Sequence, residues 1–345
     1  MRRRTSSAVP GRTGAQRGPV AVGLVVALAA CGCQTPGGHG RSPEQVQLER
    51  RALDLLLRAA QSEDSVLCCH ALEALGKVAP DEGLPYFHAA LRSPAPLIRF
   101  AGLVAVGTLR DRAALSTATT LASDPHPLVR LAAAFALARG GDPLQVQALF
   151  RALNDDPEEK VRHEAAHLIG LLEEPRAVKR LRGALRVRAN ERSNVVRLEI
   201  LSALARLGDE EGKRRLLEYA QGDALSRLLA LQSLAELGFP ESRDVLSYHL
   251  NAQEDYLLHR LIAARGLARL GSDAGYGLAL KSTRYSGVDP GDPDDAYRVR
   301  FNALLVLGEI GQPRALPVLK QVAESDADPR LQAAACYGIC YILRR

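Results

Sequence analysis

Several common architectures are excluded by what the chain lacks. No apolar run approaches the roughly 20 residues of a comfortable membrane-spanning helix; the stretch from Pro19 to Ala30 stops at twelve. No polar–apolar alternation with turn residues marks strands or hairpins. No Ser/His/Asp set, phosphate-cradling glycine loop or paired carboxylates stand out, and the histidines other than His163 and His167 do not cluster. Cations number 45 and acids 39, but five of the arginines lie in the first 17 residues, where there is no acid. From residue 31 onward the balance is 40 to 39, so the basic pI gives no reason to expect nucleic acid.

What the chain does contain is repetition. Arg99, Arg130, Arg162, Arg197, Arg227, Arg260, Arg300 and Arg330 recur at 30 to 40 residues, and Cys68 fills the same slot in a degenerate first copy. Small or apolar residues follow at three, four and seven positions, which is one face of a helix. Glycines sit eight after the anchor (Gly76, Gly107, Gly170, Gly308, Gly338) or eleven after it (Gly141, Gly208, Gly238, Gly271, Gly311). The first group allows close backbone approach and the second suits a helix C-terminus. A fixed period in this range predicts a solenoid.

An acid stands six before the anchor in Asp124, Asp156, Glu191, Glu254, Asp294 and Glu324. At the start of a second helix it is expected to accept free backbone N–H groups and face the Arg of its own copy one turn inside. This Asp/Arg pattern resembles the HEAT repeat over roughly residues 50 to 345, in the short bacterial form that phycobilisome lyases also carry. The Trp/Gly/Tyr and TPLH signatures of TPR and ankyrin repeats are missing. The resemblance implies an all-α fold, a right-handed α-solenoid of about nine HEAT-like helix pairs occupying residues 44–345. Lys281 to Tyr297, rich in Gly, Pro and Asp, is expected as an inserted exposed loop. The Asp residues of that loop lack EF-hand spacing. The final copy, ending CYGICYILRR, has no further helix pair after it and needs cover for its apolar residues.

The N-terminus has a basic start, a short apolar core and Leu28, Ala29, Ala30, Cys31. This resembles a bacterial lipoprotein signal peptide (residues 1–30), which implies lipidation of Cys31 and a flexible tether over 31–43. Gly32 resembles the outer-membrane rather than the inner-membrane sorting signal, which places the protein in the cell envelope.

His163, Glu164 and His167 match HExxH, a zinc-protease spacing. His163 falls in a slot occupied by Phe or Leu in other copies, and no third-ligand motif follows, so it is expected to pack. VRHEAA also resembles a deoxyhypusine hydroxylase segment, but that family uses several His-Glu pairs and this chain has one. Cys68, Cys69, Cys336 and Cys340 are expected as buried thiols, although a Cys336–Cys340 bridge is open in an oxidising compartment. Neither a cofactor nor a metal is expected, and no catalytic residue.

Positions two, five and nine after the anchor lie within about 60° of one another on a helix and, in HEAT-like solenoids, tend to line the concave face. Ala101, Val104, Ala132 and Phe135 form an apolar strip there, beside Arg139, Glu164, His167, Glu199 and Arg206. These nine are the expected contacts of a protein or peptide partner. The expected function is a membrane-anchored, non-catalytic scaffold. The alternatives are an envelope subunit docking through its terminal repeats and, more weakly, a metal enzyme built on His163, Glu164 and His167.

Overall fold

The computed structural model describes residues 41–345, apart from 254 and 288–293. The expected leader, Cys31 and most of the tether lie outside the described residues, as does the middle of the inserted loop.

The described chain is helical with short connections, and none of its helices is long and apolar enough to cross a membrane. In order the helices are α1 (Pro43–Ala59), α2 (Ser65–Val78), α3 (Pro80–Ala90), α4 (Pro96–Thr108), α5 (Leu115–Leu121), α6 (Pro127–Arg139), α7 (Pro143–Asp155), α8 (Glu159–Leu171), α9 (Ala177–Ala184) and α10 (Arg188–Glu191). They continue with α11 (Asn194–Arg206), α12 (Glu210–Tyr219), α13 (Ala224–Leu237), α14 (Arg243–Asn251), α15 (Leu257–Arg269), α16 (Tyr276–Ser282), α17 (Asp295–Ile310), α18 (Leu316–Ser325) and α19 (Pro329–Leu343).

Local chemistry sets the helix ends. The Asp64 carboxylate accepts from the N–H of Val66 and Leu67, Asp223 from Leu225 and Ser226, and Ser193 from Val196, each capping a second helix. Pro96, Pro127 and Pro329 occupy first-turn positions, where a missing N–H costs nothing. All five late glycines have positive φ, for example +81° at Gly208 and +75° at Gly311. Arg110 and Glu173 hold the same position in copies without glycine and are forced to φ 54° and 57°.

Nine second helices make one continuous layer. Each packs on the next along α2, α4, α6, α8, α11, α13, α15, α17 and α19, and α19 then packs back on α2. The first helices (α1, α3, α5, α7, α9, α12, α14, α16, α18) each pack on their own second helix, but hardly on one another, as an outer layer of larger circumference requires. Among the described residues the solenoid is therefore a closed ring of nine pairs. Early glycines permit the tight inner layer: a methyl on Gly170 would lie 3.0 Å from the Ala203 backbone, and one on Gly308 would lie 2.6 Å from Gly338 Cα.

Closure was not expected, and it answers the question of what covers the last copy. The first helix does not merely cap the array; it pairs with α2 and lies along α19. Ala52 and Leu56 of α1 and Ile339, Cys340, Ile342 and Leu343 of α19 are buried. Burial of each large aliphatic side chain is worth about 1.5–3 kcal/mol. Arg344 fastens the rim, with Nε 2.7 Å from Glu49, Nη2 2.8 Å from Glu82 and Nη1 donating to the Val78 carbonyl at 2.9 Å. Arg41 donates to the Leu343 carbonyl at 3.0 Å.

The expected Asp/Arg ladder forms only in part: Asp124 alone of the six expected acids pairs with an anchor Arg among the described residues, and that Arg belongs to the preceding copy. Within its own copy the Arg donates to backbone: Arg130 reaches the carbonyls of Asp124 and Pro125 at 2.8 and 2.9 Å, and Arg162 does the same with Asp156 and Pro157. Arg330 also binds a carboxylate of its own copy, Asp328, with Nη2 at 2.7 Å, whereas three other anchors reach a carboxylate of the following copy. Arg99 grips Asp124 through two 3.0 Å bonds, Arg227 donates to Asp255 and Arg300 to Asp326. These three pairs staple one repeat to the next, which a within-copy reading could not reveal. Around the expected loop, Lys281 and Ser282 still belong to α16, while Asp295 to Tyr297 already belong to α17.

The strained position supplies a stability test. Arg110→Gly removes a left-handed non-glycine residue, which costs about 1–2 kcal/mol, at an exposed side chain. The variant is expected to gain about 1 kcal/mol in urea unfolding after the glycine's own chain-entropy loss is offset; no gain would show that the strain is absent in solution.

Candidate functional site

The inner face of the ring is where the expected partner residues fall, and the structure uses almost all of them internally. Ala101, Val104, Ala132 and Phe135 are 4%, 1%, 0% and 0% exposed. They are core, not an open strip: Phe135 lies over Gly107 of the preceding second helix, so close that a methyl there would be 2.7 Å from its ring. Glu164 and His167 are buried as well.

The remaining polar candidates are paired. Arg139 donates to the carbonyls of Thr108 and Leu172 at 3.3 and 3.1 Å and to Glu173 at 3.1 Å, closing the C-terminal ends of three inner helices. Arg206 is ion-paired with Glu236. Three more residues complete the belt, with Glu309 of α17 lying between Arg265 (2.9 Å) and Arg269 (2.8 Å). Burial acts to raise the Glu309 pKa, but the two guanidinium groups outweigh it and hold the carboxyl down at about 2. A cavity of about 240 Å³ opens where the inner helices finish, among Arg139, Glu173, Arg206, Glu236 and Phe239.

The HEAAH segment lies on the same wall. His167 Nδ1 is 2.8 Å from Glu199 Oε1, and His163 Nε2 is 3.6 Å from Glu199 Oε2. Burial acts to lower the His167 pKa, yet the bond and charge of Glu199, with Glu164 and Glu236, raise it to about 9. Glu199 is pulled up by burial and down more strongly by His167, His163 and Arg206, to about 2. Burial also raises Glu164. His163 is half-buried rather than fully packed. Among the described residues, no three or more His, Cys, Asp or Glu side chains converge as metal ligands would. What the geometry provides is a buried imidazole bonded to a carboxylate of the neighbouring repeat.

A family model described as HEAT repeats matches residues 84–168, 146–228 and 291–340, together more than half of the chain. The chain belongs to the HEAT-repeat family. No curated protein matches it. Among solved structures, the complex of CpcE and CpcF of phycocyanin lyase from Nostoc sp. PCC7120 aligns at 20% identity, covering 78% of this chain and 97% of that one, with a TM-score of 0.42. Human deoxyhypusine hydroxylase aligns at 19% identity, covering 78% and 98%, with a TM-score of 0.37. Similarities of this depth say nothing about activity.

Two further clusters in this HEAT ring escaped sequence reading. Buried Asp255 accepts from His249 Nδ1 at 2.8 Å and His259 Nδ1 at 2.9 Å, joining two helices of one repeat to Arg227 of the preceding one. No spacing rule flags a pair of histidines on different helices. The other cluster is an outer ridge of cations on α9 and α10 between Arg176 and Arg192, whose signal in the sequence is simple charge density. Cys68, Cys69, Cys336 and Cys340 are buried free thiols, and burial pushes Cys68 to about 11 and Cys340 to about 12.

The His167–Glu199 pair sets a pH window. Glu199 is depressed from 4.5, so its contribution is present above pH 4.5 and lost toward pH 2; His167 is raised from 6.5, so its contribution is present below pH 6.5 and lost as pH rises through 9. Glu199→Gln is expected to lose roughly 3 kcal/mol between pH 4.5 and 6.5. The gap from wild type in urea melts should narrow toward pH 9; a gap independent of pH would contradict the pairing.

Proposed function

We propose that this HEAT ring is a non-catalytic scaffold of the cell envelope, held on a membrane by lipid on Cys31, and that it binds a protein or peptide partner through its outer surface. The observation that carries the binding mode is closure. The inner-wall charges neutralise one another and the inner apolar residues are core, so the exposed rims and first helices are the surface left for recognition. This moves the partner site away from the concave strip.

Closure also removes the basis for end-to-end assembly through terminal repeats. In an open solenoid, the last helix presents an apolar face to the next subunit; here α1 and α2 cover α19. The anchor reading is supported by Leu28, Ala29, Ala30 and Cys31 behind a basic, acid-free start, and by the short polar segment between Cys31 and the capping box of α1 at Ser42. Two or three acyl chains on one residue retain a protein on a bilayer where a single chain does not.

The test has two parts. Metabolic labelling with a palmitate analogue should mark the wild-type chain, and Cys31→Ser should abolish the label and move the protein to the soluble fraction. Crosslinking in native membranes should then yield a protein adduct with wild type that falls at least tenfold with Cys31→Ser. An unlabelled wild-type chain would overturn the anchor, and crosslinked products limited to ring self-adducts would overturn the scaffold.

A further inference from the structure

The strongest feature outside the inner wall is the cationic ridge of the fifth repeat. Arg176, Lys179, Arg180, Arg182, Arg186, Arg188 and Arg192 are all exposed, in a segment that carries one acid, Glu191. In a chain balanced to one charge from residue 31 onward, this is a marked local asymmetry. Arg182 is ion-paired with Asp209, and Arg176 is 4.0 Å from Glu174. Lys179, Arg186, Arg188 and Arg192 meet no carboxylate among the described residues.

The ridge is held firmly from beneath. The Arg180 guanidinium stacks over the buried Phe150 ring at 3.7 Å. Asn190, fully buried, accepts from Arg162 Nε at 2.9 Å and donates to the carbonyls of Leu153 and Ala184 at 3.0 and 3.2 Å, tying α10 to two repeats. Ala177, Leu181 and Ala184 seat α9 on the ring. A supported surface loses little freedom when a ligand binds. Arg176, Lys179, Arg182 and Arg186 line a shallow groove together with Pro175, Val178 and Gly183. Nothing lies within 4 Å of where a Gly183 side chain would project, so the groove is open there.

We propose that this ridge is the docking surface for an acidic polypeptide segment of the partner; the inference rests on the scaffold reading above and specifies its partner. Arg176, Lys179 and Arg182 are three residues apart, so they repeat about every 5 Å along α9, and Arg186 follows in the turn after it. An extended chain places side chains on one face about every 7 Å, within reach of flexible Arg and Lys arms, with Val178 and Pro175 as an apolar floor. Six of the seven cations are Arg, whose planar fork grips carboxylates in two-point contacts.

Other polyanions fit less well. Single-stranded nucleic acid binds basic grooves that also offer aromatic stacking platforms, and no aromatic residue occurs between 174 and 193. A membrane surface conflicts with the anchor. Nine inner helices about 9 Å apart close a circle about 26 Å across, and outer axes about 10 Å beyond on each side place α9 about 45 Å from α1. The ten residues from 32 to 41 span at most about 35 Å, so a ring standing on its α1 edge presents the fifth repeat away from the bilayer.

The test uses the full-length chain in non-ionic detergent and three probes: fluorescein-labelled poly-glutamate of about 20 residues, a single-stranded oligothymidine of equal charge, and vesicles containing anionic phosphatidylglycerol. Poly-glutamate is expected to bind at about 50 mM salt and to weaken as screening increases. Lys179→Glu/Arg186→Glu should weaken it at least tenfold without moving the thermal melt, since both side chains are exposed and unpaired. Equal binding by the variant overturns the proposal, as does tighter binding of oligothymidine. Ridge-dependent capture of the Cys31→Ser chain by the vesicles also overturns it. A membrane crosslink retained by the charge-reversed variant would leave the scaffold reading standing and sink only this surface, whereas loss of every crosslink with wild type would sink the scaffold itself.

Discussion

The contact of α19 with α1 and α2 is the constraint on which the rest of the molecule depends. An array of helix pairs normally leaves an apolar face at each end, and natural solenoids cover those faces with polar capping repeats. This chain covers each end with the other. The ninth second helix, rich in Ala, Cys and Ile, needs no polar outer face because Ala52 and Leu56 complete its core. Arg344 and Arg41 then close the edge with charge-assisted bonds to groups from the opposite end of the sequence.

Closure turns the concave surface into an enclosed wall and dictates its chemistry. Side chains there cannot all reach bulk water, so charges survive only in pairs: Glu309 with Arg265 and Arg269, Glu199 with His167, Glu236 with Arg206. Most of these pairs link neighbouring second helices. Together with the Arg–carboxylate bonds between copies they fasten many of the repeats to the next with directional bonds, on top of non-directional apolar packing. On the outside the balance differs: of the seven cations of the fifth repeat, Lys179, Arg186, Arg188 and Arg192 meet no carboxylate among the described residues.

Much of this was legible in the sequence because a repeat states its rules many times over. The anchor register yielded nine copies, the late glycines marked left-handed helix ends, and the early ones marked close backbone approach. Closure was not legible, because it depends on a small rotation per repeat accumulated over nine units, and no single copy records it. Whether Phe135 meets solvent depends on Gly107 of the preceding helix admitting it, and that is a relation between copies. The Asp/Arg pairing failed in the same way: Arg99 binds the expected acid of the next copy, but Arg227 and Arg300 bind Asp255 and Asp326, which stand one and two residues beyond the acids of the pattern. The α9–α10 ridge was visible as charge density, but a search organised by motifs passes over a surface that has none.

The ring itself is tested most directly by the distance between its two ends. Spin labels on Glu44→Cys and Arg345→Cys can be read by pulsed electron resonance, since the four cysteines of the described chain are buried with raised pKa values and react poorly. A closed ring predicts a narrow distribution on the order of 20 Å, set by adjacent helices and the label arms. A distribution centred on the order of 80 Å, as nine repeats stacked in an open solenoid would produce, would contradict closure and return the inner wall to solvent.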